Sequence, residues 1–434
     1  MPQDIAALKT TLAKEIEERR QTFVGRKTVD VGDLPGFLDL IERARQLHAV
    51  EPYAEAINLE GLQFVRQVVL ESAESTLPPI SFRSCTFSTG VKFTGLTIAG
   101  LCMDGSHLYM DAVFERCIFS GELTWSGANF HGLSNFTECV FKANVRFLGT
   151  QFRNEGHFVR CDFQKFAYFD DTRFHILADF SFSRFFNARF NNATFSDTTS
   201  FTGAIFAPWA PRFHGTSLHH DTSFAGASFQ AYEHEQDWRA YRTLKQKMAE
   251  VKAQEEESFF FAAEQRARRK FRLHLTPLPS DYIGLRAIQQ ILVRSRKSLS
   301  TLHQDTVVAP SVVNSAMSLL YDYASSYGQN IARPFLWWTL QLTVFAYIYW
   351  ATPHLVSTAA PWLSAGETVR PILTAVMLSI QNSLNPLSLF ARDPLITVRS
   401  FSMFLLSMAQ AITSLSLITL GLLAIRRRFH KGSE

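Results

Sequence analysis

At 434 residues the chain has room for two or three structural units, and its 47% hydrophobic content belongs to a folded protein rather than a disordered one. A net charge of +4 is too small to argue for nucleic acid by itself, and five cysteines, an odd number with no metal-type CxxC pair, read as reduced thiols in a reducing compartment. Phenylalanine is in excess, with 39 copies against 21 Gly and 16 Pro, which points to one residue type repeated in one structural role.

The first 35 residues contain Asp4, Lys9, Lys14, Glu15, Glu17 and Glu18 and no apolar core segment, so no secretory signal is expected and the N-terminus is assigned to the cytosol. Residues 4–23 have helical spacing, with Leu8, Leu12 and Ile16 on one stripe. Residues 35–49 predict a second helix with Pro35 in its first turn, and residues 56–70 an irregular first coil. Residues 1–79 are thus expected to cap whatever follows.

From residue 80 to 230 the aromatics recur. Phe114, Trp125, Phe136, Phe147, Phe158, Phe169 and Phe180 stand 11 residues apart, and Phe119, Phe130, Phe141, Phe152, Phe163, Phe174 and Phe185 form a second series of the same spacing. Together they advance by steps of five and six, shortening to five and five through Phe190 and Phe195. The residue two before each aromatic is small or compact, as at Ala112, Cys117, Ala128, Ser134, Cys139 and Cys161, and the residue between is mostly polar. This is the in–out–in alternation of a strand, but each run is three residues long and must be followed by a turn.

In these units the sequence resembles the pentapeptide-repeat family, whose repeat is small–polar–(Leu/Phe)–polar–polar. The resemblance implies a right-handed quadrilateral β-helix, four units per coil, with the Phe and small residues inside. The six-residue steps depart from the family's pattern and predict 22 residues per coil with the extra residue bulging at a corner. Cys117, Cys139 and Cys161 are 22 residues apart, which stacks them in one interior column as small space-filling groups. Six to seven coils are expected, giving a rod on the order of 30 Å long whose open ends need caps.

Residues 231–330 are expected to hold a helical hairpin followed by a linker. Residues 233–272 lack turn residues and place Trp238, Tyr241 and Leu244 on one face; Phe259, Phe260 and Phe261 precede a basic cluster of Arg266, Arg268, Arg269 and Lys270. The cluster is read as a solvated face that can also meet anionic lipid. Residues 276–314 read as linker with a short helix near 283–297. His214, His219, His220 and His234 match no ligand spacing, so no metal site is assigned.

Residues 331–434 predict a transmembrane domain. Uncharged stretches at about 335–357 and 400–425 are long enough to span a bilayer, with Trp337, Trp338, Tyr347, Tyr349 and Trp350 as interface anchors. Arg333 before the first and Arg426, Arg427 and Arg428 after the second put both ends in the cytosol of a bacterial inner membrane. Residues 371–391, with Gln381, Asn382 and Asn385, read as a re-entrant or interfacial helix, the polar groups either lining a path or bridging helices. The order span, half-inserted helix, span resembles that of two-helix ion channels, although TVGYG is absent.

The fold class expected is therefore a mainly β solenoid with helical caps and a C-terminal α-helical transmembrane hairpin. No P-loop, HExxH, GxSxG or dinucleotide fingerprint occurs, so neither enzyme activity nor a cofactor is expected. Some pentapeptide-repeat proteins imitate DNA with an acidic rod, but residues 80–230 hold 12 acidic and 12 basic residues, and nucleic-acid mimicry is set aside. Two functions remain: a scaffold presenting a rigid rod to a protein partner, and an oligomeric channel or pore-forming effector. The bilayer, an unidentified protein and a second copy of the chain are the partners these imply.

Overall fold

The computed structural model describes residues 10–11, 14–18, 20–22, 24, 28–29, 34–50, 57–71, 76–230, 235–275, 309–352, 356–358, 370–384, 396–398 and 401–429. Half of the predicted helix at 4–23, the predicted helix near 283–297, His234, Asn385 and the side chains of Arg427 and Arg428 lie outside the described residues. The chain divides into two compact units, Met1–Phe271 and Arg272–Glu434.

The first unit is a β-solenoid of about eight turns. Its strands are two to seven residues long and pair only in parallel, each with its counterpart one winding away. Register gives the winding length directly: Phe119 pairs with Phe141, Phe141 with Phe163 and Phe163 with Phe185, 22 residues each time. Toward the C-terminal end the step becomes 21 (Phe174 to Phe195) and then 23 (Phe206 to Phe229). Two faces form separate eight-stranded sheets; the other two merge into one twelve-stranded sheet.

The merger locates the extra residue. Asp162–Tyr168 and Arg184–Arg189 run through a corner as continuous strands, and their register shifts between Phe163 and Phe166. There the six-residue step from Phe163 to Phe169 lies beside the five-residue step from Phe185 to Phe190, and the surplus residue bulges. The five-residue steps are tight turns, closed by bonds such as Ala128 N–H to Trp125 O (3.1 Å), with a positive φ at Gly105, Arg116, Gly127, Glu138, Gly149, Arg160 and their successors. Tight and loose corners alternate around the winding, and that alternation is the physical origin of the five–six rhythm.

Inside, the aromatics stack ring on ring. Phe119–Phe141, Phe141–Phe163 and Phe163–Phe185 have centroids 5.1, 4.6 and 4.7 Å apart and planes within 9° of parallel. Phe114–Phe136–Phe158–Phe180 and Phe130–Phe152–Phe174 do the same. The separation is the strand spacing of the sheet, so ring stacking and backbone pairing reinforce each other.

The solenoid starts earlier than residue 80. Ile57 pairs with Ile80 and Phe64 with Phe87, and Leu59, Leu62 and Leu70 are buried. The early windings are filled mostly by Leu, Ile and Val, which carry no aromatic spacing, and this accounts for the turns beyond the six to seven expected. Helix α1 (Leu34–Val50) covers this end: Phe37, Leu40, Ile41 and Ala44 are buried, and Phe37 meets Phe64 edge-on at 5.3 Å. At the other end α2 (Glu235–Glu250) and α3 (Gln254–Leu275) bury Tyr241, Leu244, Met248 and Phe260; Phe260 stands perpendicular to Phe224 and nearly so to Phe229. Trp238 is only partly buried.

The second unit holds α4 (Ala309–Ser325), α5 (Ala332–Ala351), α6 (Arg370–Leu384) and α7 (Phe401–Phe429). Two expectations are corrected here. Helix α4 begins inside the segment read as linker. Helix α5 ends at Ala351, before Pro353, which cannot continue a helix; Val356–Thr358 instead pairs antiparallel with Ile396–Val398, so the predicted span at 335–357 is not one helix. Among the described residues one helix, Phe401–Arg426, is long and apolar enough to cross a membrane by length and composition.

Candidate functional site

Helix α7 has two unlike faces. Met403, Ser407, Gln410, Ser414, Gly421 and Ala424 are buried, at intervals of four, three, four, seven and three residues. Phe401, Leu405, Met408, Ile412, Leu415, Leu422 and Leu423 are exposed. A helix in water turns its apolar side inward; this one turns polar and small side chains inward and apolar ones outward. The small residues let neighbours approach closely, as where the Phe335 ring packs against Gly421 so tightly that an added Cβ would lie 2.9 Å from it.

The buried face meets α5 and α6 through a hydrogen-bonded polar cluster centred on Gln410. Its Nε2 donates to Ser379 Oγ (2.7 Å), Ser379 O (3.1 Å) and Ser383 Oγ (3.0 Å) on α6. Its Oε1 accepts from the Tyr349 hydroxyl of α5 at 2.8 Å. Asn382 Nδ2 reaches the same tyrosine oxygen at 3.3 Å, and Ser407 Oγ lies 3.1 Å from it. Ser414 donates to Ser383 (2.9 Å), and Gln341 Nε2 donates to Gln410 O (2.9 Å). Asn382 Oδ1 is buried without a partner.

Of the three polar residues singled out on this segment, Asn382 is fully buried and bridges helices, and Gln381 is half-buried. Tyr349, expected at the membrane interface, is instead 1% exposed and joins the cluster, whereas Tyr347 and Trp350 are exposed. The serines were not anticipated. Their signal was present: residues 403, 407, 410 and 414 keep the four–three spacing of a helix–helix seam, which is hard to see in a stretch where every residue is uncharged.

On the solenoid every aromatic of the two series is buried, and Cys117, Cys139 and Cys161 line one column. The thiols have a specific task. Cys139 Sγ donates to Phe114 O (3.0 Å) and Cys161 Sγ to Phe136 O (2.7 Å), and one winding on Ser183 Oγ donates to Phe158 O (2.5 Å). In the opposite column Thr150 and Thr172 donate to Trp125 O and Phe147 O at 2.7 and 2.6 Å. Each small residue thus satisfies the carbonyl that opens the turn one winding back. Burial pushes the Cys139 and Cys161 thiols well up and Cys85 up to about 12, so these sulfurs are poor nucleophiles or ligands.

Of the basic cluster on α3, Lys270 is exposed and Arg266, Arg268 and Arg269 are half-buried. Arg268 is committed internally: with Lys245 it brackets the buried Glu264 carboxylate at 2.7 and 2.8 Å, and its guanidinium lies 4.7 Å from the Trp238 ring centroid. Arg426 is exposed. His219, His220 and Asp221 hold their ligand atoms within 4.8 Å of one another on the surface; the Thr198 N–H, helped by these imidazoles, holds Asp197 below the usual carboxylate range. Outside the core, Arg146 and Arg189 lie 6.0 and 5.2 Å from the Tyr168 ring centroid, Phe166 stacks on Tyr168 at 5.8 Å, and Tyr109 stacks on His131 at 4.7 Å.

A family model described as pentapeptide repeats (9 copies) matches residues 104–151. No curated protein and no solved structure matches the chain.

Proposed function

We propose, from the premise that this chain is a pentapeptide-repeat protein, that it is a membrane-tethered scaffold: the solenoid presents flat, rigid faces to a protein partner, and the helical unit holds the chain in a lipid bilayer. Proteins of this kind are generally structural or interaction scaffolds. The observation that carries the tether is the inverted α7, whose polar residues are bonded inside one chain while Leu, Ile, Met and Phe face outward. Exposing that many large apolar groups to water is unfavourable, and hydrocarbon removes the cost. On the solenoid, the half-buried Tyr168, flanked by Arg146 and Arg189 and stacked on the exposed Phe166, presents the residue types that dominate protein interfaces. In this reading both termini are cytosolic and the membrane is a bacterial inner membrane, as the flanking arginines suggest.

The test is fractionation of the full chain. After carbonate extraction it stays with membranes and floats with vesicles, while residues 1–275 remain soluble. Recovery of the full chain in the carbonate supernatant would overturn the tether.

A second reading, an oligomeric pore, draws on one observation: α6, only 15 residues long, lies against both α5 and α7. Recording in planar bilayers tests it, since discrete conductance abolished by Asn382→Leu supports a pore and silence at every dose supports the scaffold. Asn382 and Gln410 facing each other's partners within one chain favours the scaffold.

A further inference from the structure

Between α4 and α5 the backbone adopts a turn that side chains disfavour. Ser326 and Tyr327 both have positive φ (48° and 55°), followed by Gly328 at 83°. A Cβ-bearing residue resists that conformation, so packing must hold it. The Tyr327 ring is buried, its hydroxyl lies 2.6 Å from Ser318 Oγ, and it meets Tyr321 edge-on at 5.2 Å.

The turn fixes one cation. Arg333 Nη1 donates to Ser326 Oγ at 2.5 Å, and Asn330 Oδ1 accepts the backbone N–H groups of Ala332 and Arg333 at 3.0 and 3.1 Å. Among the described residues no carboxylate pairs with Arg333. The guanidinium, with donors to spare, borders a cleft of about 370 Å³ whose other walls are Tyr323, Leu336, Trp337 and Leu340. Tyr323 and Trp337 pack at 4.9 Å. Beyond the cleft the exposed ridge continues through Val344 to Tyr347. From Leu336 to Tyr347 it runs about 17 Å along the helix, close to the roughly 15 Å hydrocarbon depth of one leaflet.

A held cation, an aromatic pair and an aliphatic ridge, in that order along one helix, match the phosphate, interface and acyl chain of a lipid. Resting on the membrane reading above, we propose that this cleft binds one phospholipid, with its phosphodiester on Arg333 and an acyl chain along Leu336, Leu340 and Val344. A soluble anion would use the arginine but leave the ridge unexplained.

The experiment is native mass spectrometry of the detergent-purified full chain titrated with phosphatidylglycerol, with diacylglycerol of the same chains, or with inorganic phosphate as competitor. The expected result is one retained phosphatidylglycerol and no retained diacylglycerol. Arg333→Gln lowers retention about tenfold, Arg333→Lys less than threefold, and millimolar phosphate displaces little. Equal retention by wild type and Arg333→Gln, or equal retention of diacylglycerol, overturns the site; so does full displacement by phosphate. If Arg333→Gln does not fold, Leu340→Trp decides, because it fills the cleft without touching the cation: undiminished retention overturns the site. Vesicle flotation of the same variants separates the two proposals. Flotation with Arg333-independent retention leaves the tether standing and removes the site, whereas failure to float removes the tether itself.

Discussion

The Tyr349 hydroxyl donates to Gln410 Oε1 at 2.8 Å across two helices whose outward sides are apolar. The same glutamine uses its amide nitrogen on Ser379 and Ser383, so one side chain joins three helices. Gln410→Leu removes these bonds and leaves their buried partners without them. At about 0.6 kcal/mol per bond between membrane helices, the loss is on the order of 2 kcal/mol, and Tyr349→Phe, which gives up the hydroxyl's contacts with Gln410, Ser407 and Asn382, costs about three quarters of that. Reversible unfolding in mixed detergent micelles measures both; no change in Gln410→Leu would show that the cluster does not stabilise the bundle.

The buried thiols should act as hydrogen-bond donors and nothing more. Cys139→Ser keeps a donor to Phe114 O, as Ser183 does for Phe158 O one winding past Cys161, and stability is retained. Cys139→Val leaves that carbonyl without its side-chain donor and costs about 1 kcal/mol. Urea unfolding of the two variants checks the order.

Thiol ionisation also sets an alkaline limit. Cys85 is raised from 9.0 to about 12 by burial. A raised thiol value means the unfolded chain loses its proton first. The Cys85 contribution is therefore constant below pH 9 and falls as pH climbs from 9 toward 12, by about 1.4 kcal/mol per unit. The decline between pH 8 and 10.5 should be shallower in Cys85→Ala than in wild type, since Lys and Tyr titrate equally in both; identical slopes would contradict the assignment.

Glu264 is 1% exposed between Lys245 and Arg268. Glu264→Ala leaves two partly buried cations unpaired and should destabilise the α2–α3 cap by about 3 kcal/mol. Opening the cap uncovers Phe224 and Phe229, so light scattering should rise at a lower temperature than in wild type.

Phe182 holds φ 59° with its side chain 60% exposed, at a corner position where Gly203 stands one winding later at 65°. Its ring lies where a Cβ on Gly203 would be only 2.6 Å away. Phe182→Asn relieves a left-handed cost of about 1 kcal/mol and should raise the melting temperature by a few degrees, whereas Gly203→Ala should lower it. A lower melting temperature for Phe182→Asn would mean that the ring's packing outweighs the strain.

Winding length, interior columns and inward cysteines were legible in the sequence because a solenoid repeats one local environment, and any residue satisfying it returns at the same interval. The series from Phe114 to Phe185 states that interval without further information. The first windings were harder to read, since Leu59, Leu62 and Leu70 fill the tube as well as Phe does and keep no distinctive spacing. Where the surplus residue sits was not legible at all: a six-residue step is the same in sequence whether it loosens one corner or another, and only pairing between Asp162–Tyr168 and Arg184–Arg189 distinguishes them.

The helical unit shows the opposite balance. Composition alone marked α7 as suited to hydrocarbon, because transfer free energy depends on which atoms are present. Which of its residues face protein depends on contacts with α5 and α6, far away in the chain. Tyr349 looked like an interface anchor by type and became a buried donor by position; Gln410, ten residues into an uncharged stretch, became the joint of three helices. Residue chemistry made this helix long and apolar enough to cross a membrane, and three-dimensional packing decided where its polar groups find partners.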